Sequence, residues 1–223
     1  MSSVKINKKS TDTDMTPFVD IAFLILSFFI MATKFKPPEP ISITTPNSVS
    51  AQELPTDDAV LITIDSTNRV FFSVLSEKNK TIPDQVIQKL NTLRTLNLTN
   101  AQMANFRKTI AVGVKFEMLG SLLDVSAEEQ GKVTQLGIPV LDTLDNQLTW
   151  WIAASKEVFR DNQRPLKYLI KGDGGSKYPA FEAVISALKK NDEFKYNLVT
   201  SLESAPTGSA LDVSNRKGKG AEK

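Results

Sequence analysis

One stretch decides what this chain can fold into. Residues 17–32 read PFVDIAFLILSFFIMA, in which only Asp20 and Ser27 are polar. Lys34 and Lys36 follow it, and a polar segment carrying Lys5, Lys8 and Lys9 precedes it. A membrane-crossing helix needs roughly 17–25 residues, and 16–33 lies at the short end of that range. A core helix would carry a polar stripe, whereas this run is apolar nearly all round. A secretory signal would place a purely apolar stretch before small residues, a pattern that Asp20, Phe28 and Phe29 fit poorly. The run therefore predicts a membrane span. Three lysines before it and two after it favour a cytoplasmic amino terminus.

Asp20 is the residue that does not belong. An ionisable side chain in a span costs about 2.5–3.5 kcal/mol at mid-membrane, so such groups face a protein partner or a water path. Thr16-Pro17 reads as a helix start, with Thr16 as N-cap and Pro17 first in the helix. Helical spacing then puts Thr16, Phe23, Leu24 and Ser27 on the same side as Asp20. Thr16, Asp20 and Ser27 make a polar stripe on an apolar rod, which points to a facing helix or pore. Asp20 is either a proton or ion carrier or an interfacial acid near a helix start. Ser27 either hydrates that path or bonds back onto its own helix. Thr16 is a cap first and a path residue second.

Composition narrows the rest. The chain has 223 residues, 41% hydrophobic and 23% charged, which suits a folded soluble part behind a small anchor. A net charge of +2 and the lack of a basic, aromatic-interleaved stripe argue against nucleic acid. There is no cysteine and no histidine, which removes thiolate chemistry, His triads and His metal sites. The expectation is a non-enzyme with no cofactor and no metal. Gly172-Asp173-Gly174-Gly175 lacks the lysine and spacing of a phosphate loop and reads as a turn. Asp57-Asp58 and Glu128-Glu129 read as solvated or capping acids. Of Trp150 and Trp151, at least one belongs in a core.

The elements beyond the span alternate in type. Residues 59–65 (AVLITID) and 69–75 predict a hairpin around the turn Ser66-Thr67-Asn68. Residues 167–171 predict a strand, 179–191 an amphipathic helix and 196–202 a final strand. Between them, 83–96 and 140–159 carry helical periodicity, Thr99 caps a helix through 111, and Ser126 to Glu129 matches a capping box. Residues 41–44 alternate and predict a short strand after a proline-rich stretch.

Two sets of residues then become familiar together. Asp14-Met15-Thr16-Pro17-Phe18-Val19-Asp20, followed by the apolar helix, resembles the start of the ExbD/TolR family of biopolymer-transport proteins. So does the later run Lys171-Gly172-Asp173, Tyr178, Phe181, Leu188 and Tyr196-Asn197-Leu198-Val199. With the hairpin, the resemblance covers about half the chain. It implies an α+β fold: a single N-terminal transmembrane helix and a periplasmic strand–helix–strand domain, here with a largely helical insert. The expected divisions are a cytoplasmic arm at 1–15, a transmembrane helix at 16–34 and a periplasmic linker at 35–58. The α+β domain takes 59–76 and 165–204, the insertion 77–164, and a disordered tail 205–223.

The resemblance also implies a role. Family members are similar to stators of a proton-driven motor in the inner membrane, in which two copies of the span sit inside an ExbB-like pentamer. Proton flow is coupled to a TonB-like protein that energises outer-membrane transport, and the family's essential aspartate maps onto Asp20. The implied partners are the pentamer, a second copy of this chain, the TonB-like protein and membrane lipids. A TolR-like role in envelope integrity, a membrane-tethered periplasmic binding protein and a secreted domain with a cleaved signal are the alternatives.

Overall fold

The computed structural model describes residues 15–32, 41, 43–48, 55, 57–142 and 145–202. The residues 1–14 of the arm, most of the linker and the tail at 205–223 lie outside the described residues. The chain divides into two units, 1–38 and 39–223.

The first unit contributes one helix, α1 (Thr16–Ala32). It opens one residue earlier than the sequence suggests. The Met15 carbonyl accepts from the amides of Phe18 and Val19, both at 3.1 Å, so Thr16 lies inside the first turn. Among the described residues no helix is long and apolar enough to cross a membrane. At ~1.5 Å per residue, 17 residues span about 26 Å, against a hydrocarbon core of roughly 30 Å.

The second unit is a sheet with helices on it. In chain order it runs β1 (Asn47–Ser48), β2 (Ala59–Ile64), β3 (Val70–Leu75), α2 (Thr81–Arg94), α3 (Asn100–Phe106), α4 (Phe116–Asp124) and α5 (Ala127–Gln130). It continues with α6 (Leu148–Asp161), β4 (Lys167–Gly172), α7 (Tyr178–Lys190), β5 (Asn197–Val199) and β6 (Ser201–Leu202). The main sheet has the order β3-β2-β4-β5, and β1 and β6 form a separate pair. β2 and β3 are the expected antiparallel hairpin. β4 lies parallel to β2, and β5 parallel to β4 across α7. Residues 41 and 43–44 are not in a strand; the pairing begins at Asn47.

Period-two alternation sets the core. Val60, Ile62, Ile64, Phe72, Tyr168 and Ile170 face the helices. Ala59, Leu169 and Val199 pack on the other face with Leu61 and Leu75. Trp151 of α6 is fully buried, with its ring centroid 4.8 Å from that of Phe72, 5.7 Å from Phe106 and 6.3 Å from Phe116. Segment 77–164 thus shares one core with the sheet. It also covers a sheet edge: Phe72 and Val112 exchange two backbone bonds of 2.8 Å, and Ile138 donates to the Val70 carbonyl at 2.8 Å. An open strand edge invites pairing with other chains, so this cover has a protective effect.

Candidate functional site

The side chains that the sequence singled out for chemistry lie on α1. Asp20 is one helical turn inside, about 6 Å from Thr16 along the axis, and is exposed on the helix surface. Twelve apolar side chains from Met15 to Met31 surround it, each at least 52% exposed. Leaving so many uncovered in water forfeits on the order of 10 kcal/mol or more of burial. Ser27 Oγ donates to the Leu24 carbonyl at 2.9 Å, the back-bonded arrangement. As a donor it keeps both oxygen lone pairs, and spacing puts Ser27 on the Asp20 side of the helix. α1 has no acidic residue in its first turn and no basic residue in its last.

In the second unit the residues singled out by sequence serve structure. Asp58 forms an ion pair with Arg164, with one hydrogen bond from Nη2 to Oδ2 and one charge contact from Nε to Oδ1, each 2.8 Å, tying the end of the long segment to the start of β2. Asp57 accepts from the Lys78 amide at 2.9 Å, and this bond above all holds its carboxyl below the usual carboxylate value. Trp151 is the core tryptophan, whereas Trp150 is half-buried with the Arg94 guanidinium 4.9 Å above its ring. Ser126 stands before α5, but its hydroxyl donates to the Glu129 carboxylate at 3.2 Å and caps no amide. The full capping box is at Thr99 and Gln102. Among the described residues no group of His, Cys, Asp or Glu could hold a metal ion.

The glycine-rich segment after β4 is a turn, and it has a function the sequence did not disclose. Asp173 Oδ2 accepts from the Thr44 amide at 2.7 Å, and the Gly174 amide donates to the Thr44 carbonyl at 2.9 Å. The chain entering the second unit is therefore fastened to this turn. The only advance signal was an Asp followed by two glycines, which marks a tight turn but names no partner.

A family model, Biopolymer transport protein ExbD/TolR, matches residues 7–203. The chain belongs to the ExbD/TolR family. The match runs from the arm through α1 to the last described strand and includes segment 77–164. Membership places the chain among proteins of biopolymer transport, a membrane-associated family that works with ExbB-like and TonB-like partners. No curated protein and no solved structure matched the chain.

Proposed function

We propose that this chain is the ExbD-like subunit of an inner-membrane motor that couples the proton motive force to TonB-dependent outer-membrane transport. In this reading α1 crosses the membrane once, with the amino terminus cytoplasmic and the second unit periplasmic. Asp20 carries the proton. The observation that carries the reading is one acid on a helix with twelve large apolar side chains uncovered around it. Such a helix needs lipid or other helices around it, and its acid needs a polar partner.

The helix is a few ångströms short of a full crossing, which thinning of the bilayer and snorkelling of the flanking lysines accommodate at modest cost. Two copies inside an ExbB-like pentamer would place two Asp20 side chains among partner helices. The ionised form seeks a hydroxyl or water there, and the neutral form tolerates an apolar wall. Alternation between the two forms converts proton flow into rotation or rocking of the pair. Each charge moved across 100 mV supplies about 2.3 kcal/mol. Thr16 and Ser27 line the route or pack against the partner.

Asp20→Asn tests the reading. The variant inserts and assembles with the pentamer but no longer energises transport. Normal transport by the variant rejects it. A cleft of about 560 Å³ along α7, with Tyr178, Glu182, Lys189 and Tyr196 on its wall, favours a second reading, a tethered periplasmic binding protein. Under that reading Asp20→Asn is silent, and substitutions of Tyr178 and Tyr196 are not.

A further inference from the structure

The chain entering the second unit is fastened at the far end of the sheet from where its first long strand begins. The Thr44 amide and carbonyl are both held at the turn after β4, by Asp173 Oδ2 and the Gly174 amide. Asp173 Oδ1 accepts from the Gly175 amide at 2.8 Å, so one carboxylate both shapes the turn and grips the incoming chain. A Cβ built on Gly174 would lie 3.7 Å from the Thr44 carbonyl, so the two backbones run in direct contact. Beyond Thr44, β1 pairs with β6 for two residues, Asn47 with Ser201 and Ser48 with Leu202.

The registers fix where this fastening sits. Gly172, next to Asp173, stands beside Ile64 at the end of β2, whereas Ala59 at its start stands beside Lys167. Residues 59 and 64 are about 17 Å apart along the strand. We propose that Asp173 is a releasable clasp that decides which end of the domain the tether pulls on. The existence of the clasp is independent of the motor; only its use rests on that reading.

With the clasp closed, tension from the first unit enters the domain at Thr44, at the Gly172 end. With it open, the load passes to Ala59, at the opposite end, and the domain is held by its other pole. Release also adds the contour length of residues 44–59 to the tether, up to about 50 Å at ~3.3–3.6 Å per residue. The fastening is built to open. Its bonds lie on exposed surface, and a two-residue ladder has little stability of its own.

The test uses the full chain in lipid nanodiscs. In Asp173→Ala the amides of Thr44 and Gly174 exchange hydrogen at least about tenfold faster than in the parent, while those of Ile62 and Ile170 keep their rates. Spin labels on Ile41→Cys and Lys177→Cys, both in the second unit, read the reach, on a background free of natural cysteine. The label separation is short and narrow in the parent and longer and broader in Asp173→Ala. Thr44→Pro removes the donor, leaves the turn intact, and gives the faster Gly174 exchange and the longer, broader separation. Either readout staying at the parent value in both variants overturns the clasp. Neither depends on proton transfer at Asp20.

Discussion

At the scale of the residue, charges and aromatic rings are used for different ends in the two units. Asp65 is buried at the β2–β3 turn, which pushes its carboxyl up. The Arg69 amide and side chain and the Thr67 hydroxyl outweigh that and hold it below the ordinary carboxylate value. The unfolded chain therefore binds this proton more readily, and stability rises with pH through that window. The contribution is complete above about pH 4 and fades as pH falls through the lower folded value. Asp65→Asn flattens this part of the curve in chemical denaturation measured from pH 2 to pH 7 (about that range). Trp151 makes a second case. Its indole N–H is buried without a hydrogen-bond partner among the described residues. Trp151→Ala costs about 3–5 kcal/mol through the cavity it leaves, whereas Trp151→Phe, with no hydrogen bond to lose, costs much less. Urea midpoints of the three proteins check the order. Asp20 stands out in the sequence because it is an acid in an apolar run, and its role is a proposal. The role of Asp173 was not readable, because its partner Thr44 is 129 positions away and the local pattern marks only a turn.

At the scale of the element, the two strands of the hairpin, β4 and α7 follow their local pattern, since alternation and helical spacing there agree with the packing. The long segment between them departs where tertiary contacts compete. The helix expected from 140 begins at Leu148. Asn146 Oδ1 accepts from the Leu148 amide, and Gln147 Oε1 accepts from the Phe116 amide, so the polar run ahead of α6 is spent on capping and bridging. The helix expected through 111 stops at Phe106, because Val112 is drawn into extended pairing with Phe72. α4 was missed although Phe116, Leu119, Leu122 and Leu123 carry its spacing; it is short and Gly120 interrupts it. The approach of this segment to β3 is close enough to test. A Cβ on Gly113 would lie 2.1 Å from Cδ1 of the buried Phe71 ring. Gly113→Ala therefore destabilises by about 1–3 kcal/mol through forced repacking. Thermal melting of the variant checks this, and an unchanged midpoint denies the close contact.

At the scale of the whole molecule, an apolar helix of 17 residues precedes an α+β domain on whose β4 turn Thr44 is fastened. Under the proposed function the first part senses the proton gradient and the second delivers the force. The α+β character was readable because its strands are regular. The family was readable because Thr16, Pro17 and Asp20 keep a fixed spacing at the head of an apolar run. What segment 77–164 contributes to the core was hidden, since burial against a sheet is decided by residues far apart in the chain. The account's central claim is that the Asp20 carboxyl passes protons between the two sides of a membrane. The most direct measurement is proton flux into liposomes containing the full chain with its ExbB-like partner, under an imposed potential. The account predicts flux with the parent chain and background leakage with Asp20→Asn at equal assembly. Equal flux from both proteins would contradict it.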